Sequence, residues 1–149
     1  MRLMEPTERH RAGTPPNERI AGEPPFGTAI IVYRRRDREI EFLVLHRALE
    51  GDWAWGPPTG ARHEDENLNL TAARELVEKT GMALPLERTH FGSWDWLVCM
   101  AEAPPDAAVL LSDEHDRYAW LPASAALQLV TPDPVRDQLA HVARQLGAA

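Results

Sequence analysis

Between Gly60 and Met82 the chain reads GARHEDENLNLTAARELVEKTGM, a segment in which acidic side chains recur at spacings suited to a hard cation. Glu75 and Glu78 are three residues apart, so on a helix they rise from adjacent turns and can share one ion. Glu66 can reach the same place from the loop before the helix. Arg74 can brace Glu78 at i, i+4, and the Gly60 carbonyl can approach a metal because glycine leaves the backbone unshielded. Mg2+, or Mn2+ in its place, prefers oxygen ligands and bridges carboxylates to substrate phosphates, polarising an anhydride and orienting an attacking water. An exposed charged face accounts for the helix residues equally well. Glu75 with Lys79 and Arg74 with Glu78 are then ordinary i, i+4 pairs, each contributing a few tenths of a kcal/mol.

Positioning these groups requires a helix over about 68–80. Asn67 or Asn69 can cap its first free amides, and Gly81 suits the left-handed conformation that ends many helices. Leu70, Ala73, Leu76, Val77 and Thr80 fall on one side at helical spacing, with Thr71, Glu75 and Glu78 opposite, so the carboxylates are expected to project away from the core stripe. Two β-rich runs, 27–33 and 40–46, flank a charged turn at 34–38 and predict a hairpin. A Gly- and Pro-rich segment covers 51–60, and further β-rich stretches cover 91–101 and 117–121. Leu127 to Val130 sit in one later helical segment, and Val135, Leu139, Val142 and Leu146 give the next an apolar stripe near period 3.6. Strands around one central helix, followed by terminal helices, predict an α/β fold with a mixed β-sheet sandwiched between helices. Residues 1–25 mix proline and charge and are read as a flexible N-terminal arm, leaving 26–149 as the domain.

Composition sets the outer limits. A chain of 149 residues with 44% hydrophobic content suits one core, and its longest apolar runs, such as Ala29-Ile30-Ile31-Val32, are far too short for a membrane span. No secretory signal is visible at the amino terminus, and the single cysteine, Cys99, agrees with a reducing compartment, so a cytoplasmic location is expected. A formal charge of -7 argues against broad binding to nucleic acid. Any phosphate ligand then needs local cations, which metal on clustered carboxylates can supply. A monomer and a homodimer are both compatible with the sequence.

The 60–82 segment resembles the Nudix box, whose pattern is Gly, five residues, Glu, seven residues, then Arg-Glu-aliphatic-any-Glu-Glu-any-Gly-aliphatic. Gly60, Glu66, Arg74, Glu75, Glu78 and Gly81 fill six of its seven fixed positions, with Leu76 and Met82 at the aliphatic ones. Because the match includes the loop residues Gly60 and Glu66 at the family's offsets, it favours the metal reading over the charged face. The resemblance implies a Nudix fold and hydrolysis of a phosphoanhydride in a dinucleoside polyphosphate or nucleoside triphosphate. Gly60, Glu66, Glu75 and Glu78 would hold Mg2+ or Mn2+, and Glu75 or Glu114 would act as base, with Arg74 beside them.

Outside the box, Trp53 to Gly60 looks like the Trp-x-x-Pro-Pro-Lys-Gly segment of asymmetric diadenosine tetraphosphate hydrolases. Leu111 to Leu121 is similar to their Ser-x-Glu-His-x-x-Tyr-x-Trp-Leu segment. That likeness implies a nucleotide partner, with Glu114 assisting metal or water, Tyr118 stacking on a purine, His115 donating to phosphate and Trp55 touching substrate. Arg47, Arg62 and His63 lie close enough in sequence to offer substrate a replacement charge for the lysine absent at Thr59, exposed loop positions being their plainer reading. Core packing for Tyr118 and Trp120, and a loop-capping role for His115, are the plainer alternatives. Two positions depart from the pattern: Thr59 replaces a phosphate-contacting lysine, and Lys79 replaces a metal-binding glutamate. Lys79 either repels magnesium or contacts phosphate directly. Both departures leave room for a nucleotide-binding module without turnover.

Overall fold

The computed structural model of the chain describes residues 19–49 and 54–148. Strands β1 (Gly27–Arg36) and β2 (Glu39–Arg47) form the expected antiparallel hairpin. Its turn is only Asp37-Arg38, with φ of 51° and 69°, which is the left-handed pair that a two-residue connection between twisted strands demands. The charged turn expected over 34–38 is therefore corrected, because Arg34 to Arg36 continue β1. Arg34 is 9% exposed, donates from Nε to Glu41 Oε1 at 2.7 Å across the ladder, and lies 4.5 Å over the Trp120 ring. These contacts satisfy a charge that its sequence neighbourhood suggested was solvated.

Five more strands complete one mixed sheet. They are β3 (Trp55–Gly56), β4 (Thr59–Ala61), β5 (Glu87–Ser93), β6 (Trp96–Ala103) and β7 (His115–Pro122). β6 runs parallel to β1 and antiparallel to β5, β4 pairs with the start of β1, and β3 and β7 pair with β2. The stretch read as one strand at 91–101 is thus two strands turning at Trp94-Asp95, with Trp94 76% exposed. The Gly- and Pro-rich segment contributes β3 and β4.

The sheet is covered on both faces. Ile31, Tyr33, Phe42 and Val44 meet α2 (Ala123–Leu129) and α3 (Asp133–Gln145) through Ala126, Val135, Leu139 and Val142. Ile30, Val32, Leu43 and Leu45 meet α1 (Leu68–Thr80) through Ala72 and Leu76. Burial of both faces explains why β1 and β2 read as continuous apolar runs, and the sandwich of a mixed sheet between helices is as expected.

α1 begins where Asn67 accepts a hydrogen bond from the Leu70 amide at 2.9 Å and ends at Gly81, with φ of 74°. Its orientation differs from the expected one. Thr71, Ala72, Glu75, Leu76, Lys79 and Thr80 are buried, whereas Leu70 and Val77 are 57% and 49% exposed. The helix is rotated so that Glu75 and Lys79 face inward, because partners distant in sequence receive their charges.

Of the arm expected over 1–25, residues 1–18 lie outside the described residues. Residues 19–25 are tied to the loop before α1: Ile20 bridges His63, the Ala21 amide donates to the Arg62 carbonyl at 2.8 Å, and Ala21 is buried. Among the described residues no helix is long and apolar enough to cross a membrane.

Candidate active site

The site grows from the loop that carries Glu66 into α1. Glu66 Oε1 accepts from the His63 amide at 2.8 Å, Thr71 Oγ1 at 3.0 Å and Arg74 Nη2 at 2.9 Å, while Oε2 accepts from Arg74 Nε at 2.6 Å. Burial alone raises the Glu66 carboxyl, but the Arg74 hydrogen bonds, the His63 amide, the Arg74 charge and the Thr71 hydroxyl outweigh it, lowering it from 4.5 to about 2. Glu66 thus serves as the anchor of Arg74, and four donors occupy the oxygens expected to meet metal.

Arg74 spreads its guanidinium over several acceptors. Besides Glu66 it donates to the Ala61 carbonyl at 2.9 Å and to Glu75 Oε1 at 2.7 Å, and it lies 3.5 Å from both Glu78 oxygens. The expected brace on Glu78 is therefore the loosest of its contacts. Burial opposes its charge, but hydrogen bonds to Glu66 and the charge of Glu75 dominate and raise its pKa.

Glu75 lies across Gly60 on β4. A Cβ at residue 60 would overlap the Cγ, Cδ and Oε1 of Glu75, so only glycine leaves room for this carboxylate. The side chain of Glu75 is 8% exposed, and burial raises its pKa despite the charges of Lys79 and Arg74. Its Oε2 is buried without a hydrogen-bond partner and stands 3.6 Å from Lys79 Nζ. Lys79, 9% exposed, donates its closest hydrogen bond to Glu114 Oε2 at 2.6 Å. Burial raises the Glu114 carboxyl, but the hydrogen bond and charge of Lys79 outweigh it and lower the pKa. The ammonium joins two acidic residues from opposite parts of the chain.

Lys79, Glu114 and His115 line a small polar recess with Arg47, Trp55, Pro57 and Thr59. It is small, roughly 40 Å³. Arg47, Thr59 and Val135 also line a wider, mostly apolar cleft of about 760 Å³ between β5 and α3, with Phe91 and Trp96 in its wall. The wider cleft has the room, but the ionisable groups stand in the recess, and the shared residues make the two continuous. Burial, then the charge of Lys79, lowers the His115 imidazole to about 4, and its Nδ1 is buried without a hydrogen-bond partner. At neutral pH it is an uncharged imidazole at the rim of the recess.

The remaining expected substrate residues separate. Trp55 lines the recess and packs 4.8 Å from the His46 ring, with the Arg117 guanidinium 5.5 Å from its own. Tyr118 is 43% exposed on β7, paired with Leu45 and outside the recess. Arg62 is redirected: it donates to the carbonyls of Pro25 at 2.6 Å, Glu23 at 3.0 Å and Glu66 at 3.0 Å and lines a separate cleft with Asn67 and Arg88. Its donors fasten the loop to residues 23–25. Sequence reasoning missed the pair His46 Nδ1 and Asp116 Oδ1, 2.7 Å apart behind Trp55, because only the β2–β7 ladder brings those residues together.

Among the described residues no group of three or more His, Cys, Asp or Glu is gathered closely enough to form a ready cation cage. The donor chemistry nevertheless fits a hard divalent ion. Glu75 Oε2 is a buried oxygen that accepts no hydrogen bond, and Glu78, with a side chain 38% exposed, lies one turn along the same helix.

The Glu66–Arg74 network yields a pH expectation. Because the folded pKa of Glu66 is depressed, its stabilising contribution is complete above its ordinary 4.5 and is lost as pH falls toward about 2. Chemical denaturation in chelating buffer should show stability declining across that window. Glu66→Gln should flatten the decline; an unchanged acid limb would place the titration elsewhere.

The NUDIX domain model matches residues 24–146. An octanoyltransferase of Myxococcus xanthus is 33% identical over 134 residues, 81% of this chain but only 38% of that protein. An asymmetrical bis(5'-nucleosyl)-tetraphosphatase of Rattus norvegicus is 30% identical over 129 residues, 74% of this chain and 87% of that protein. A crystal structure of a C. elegans Ap4A hydrolase binary complex superposes with a TM-score of 0.69 at 20% identity, covering 83% of this chain and 98% of that one, a likeness of fold. With the family model spanning the sheet, the helices and the Gly60–Gly81 segment, the chain belongs to the NUDIX domain family.

Proposed function

We propose that this domain hydrolyses a phosphoanhydride bond of a nucleoside polyphosphate, with a diadenosine tetraphosphate-like substrate favoured. The supporting observation is the seating of Glu75: Arg74 and Gly60 hold its carboxylate in place while leaving Oε2 without a hydrogen-bond partner. Glu75 and Glu78 would hold Mg2+ or Mn2+, with the Gly60 carbonyl near them. The metal supplies positive charge to the phosphoryl oxygens and orients the attacking water. Glu66 would act through Arg74 rather than by touching the ion. Of the two candidate bases Glu75 is the better proton acceptor, because burial raises it, whereas Lys79 overcomes burial to lower Glu114.

Substrate preference rests on the rat tetraphosphatase, which matches over most of its length, and on the surface offered to a base and phosphates. The exposed Tyr118 presents an aromatic ring, Trp55 lines the recess, and Arg47 and neutral His115 present donors. The octanoyltransferase shares only part of its length with this chain and does not favour acyl transfer here. The single cysteine, Cys99, agrees with a reducing compartment and so with a cytoplasmic location. A second reading, nucleotide binding without turnover, is favoured by one observation: Lys79 already sits against Glu75 and Glu114.

The test is a panel of nucleoside triphosphates and dinucleoside polyphosphates incubated with Mg2+ or Mn2+ and resolved by chromatography. Cleavage of at least one, strongest for a dinucleoside tetraphosphate, is expected. Measurable binding with no cleavage of any would overturn the hydrolase reading in favour of the binding module.

A further inference from the structure

We infer that Lys79 is a tethered cation occupying the position between Glu75 and Glu114, so that a divalent metal gains the Glu75 carboxylate only by displacing its ammonium. This inference rests on the hydrolase reading of the same site. Three observations meet at one atom. Lys79 Nζ is 2.6 Å from Glu114 Oε2 and 3.6 Å from Glu75 Oε2, so the ammonium bridges a carboxylate from α1 and one from the segment entering β7. The lysine is 9% exposed on the inward face of its helix rather than extended into water. Lys79 and Glu114 line the recess and Glu75 does not, so from the recess the ammonium is met before the Glu75 carboxylate.

Charge balance explains why the ammonium holds this position. Glu75 and Glu114 both attract the ammonium from within 4 Å, Glu75 also being held on its other oxygen by Arg74. The ammonium donates a hydrogen bond to Glu114 and stands within ion-pair distance of Glu75 Oε2, an arrangement that needs none of the near-octahedral geometry that magnesium requires. The consequence is a domain with weak affinity for free metal, in which Lys79 must swing out before Glu75 can serve as a ligand.

The experiment is calorimetric titration of Mn2+ into the full chain, confirmed by loss of the free-ion electron spin resonance signal, for wild type, Lys79→Met, Lys79→Arg and Lys79→Glu. Circular dichroism checks that each is folded. Removing the tethered charge in Lys79→Met should tighten Mn2+ binding roughly 10-fold or more, and Lys79→Glu should tighten it further by adding an oxygen donor. Lys79→Arg, which keeps the charge, should bind no better than wild type. Equal affinity in wild type and Lys79→Met, or an equal gain in Lys79→Arg, would overturn the inference. Binding of ATP in EDTA supplies the last arm: a loss in Lys79→Met would show that the ammonium serves phosphate, which also overturns it. Turnover enters none of these readouts, so a failed hydrolase reading with a metal gain in Lys79→Met, or the converse, identifies which statement fell.

Discussion

Replacing Gly60 with alanine is expected to abolish most activity and to lower stability together. The new Cβ would fall on the Cγ, Cδ and Oε1 of Glu75, and the carboxylate cannot simply rotate away because Arg74 Nη1 holds Oε1 at 2.7 Å. Either Glu75 leaves its seat, breaking that bond, or β4 moves from β1, disturbing the pairing of Thr28 with Gly60. Overpacking of this kind costs about 1–3 kcal/mol. Displacing a reacting group by an ångström costs roughly 100-fold in rate. Urea unfolding and steady-state turnover of the purified variant check the two effects. Wild-type turnover in Gly60→Ala would show that Glu75 does no chemistry from this seat.

Glu78→Gln should separate chemistry from stability. The Glu78 side chain is 38% exposed, and Arg74 Nη1 meets it at 3.5 Å, the limit of a hydrogen bond. Stability should therefore stay within about 0.5 kcal/mol of wild type. Because the change removes a charged oxygen beside Glu75, turnover should fall about 100-fold, at the upper end for a group that orients a bound metal. A variant equally active would move the ligand role to Glu114, while one strongly destabilised would make Glu78 a structural charge.

The contrast between these two positions shows which parts of the molecule were legible in the sequence. The ends of α1 were readable because the signals are local: Asn67 caps the Leu70 amide and Gly81 adopts φ of 74°. β1 and β2 were readable from their β-rich runs, and the two-sided packing of the sheet followed from the order of strands, central helix and terminal helices. The face that α1 buries was not. Leu70 and Val77 match an apolar stripe, yet the helix turns Glu75 and Lys79 inward because Gly60, Arg74 and Glu114 receive them. A periodicity of side-chain types carries no record of such distant partners.

The site residues divide in the same way. Glu75 and Glu78 had a helical spacing to reveal them. Glu66 occupied the right position in the motif but is engaged by Arg74, His63 and Thr71, a network legible only once the loop is folded. Arg62 offered the right charge near the site, but its donors turn to main-chain carbonyls of residues 23–25 and the loop. The substitution at Lys79 was visible, and its pairing with Glu114, 35 residues away, was not.

Hydrolysis at the Glu75 and Glu78 carboxylates is tested most directly by following the origin of the oxygen that enters the product. Wild type and Glu78→Gln would be incubated with Mg2+ and diadenosine tetraphosphate in water enriched in heavy oxygen, with products resolved by mass spectrometry. Wild type is expected to yield a pair of phosphorylated products carrying one solvent oxygen between them, with far less of both from Glu78→Gln. Intact substrate in the wild-type reaction, although the nucleotide binds, or equal product from the two proteins, would contradict it.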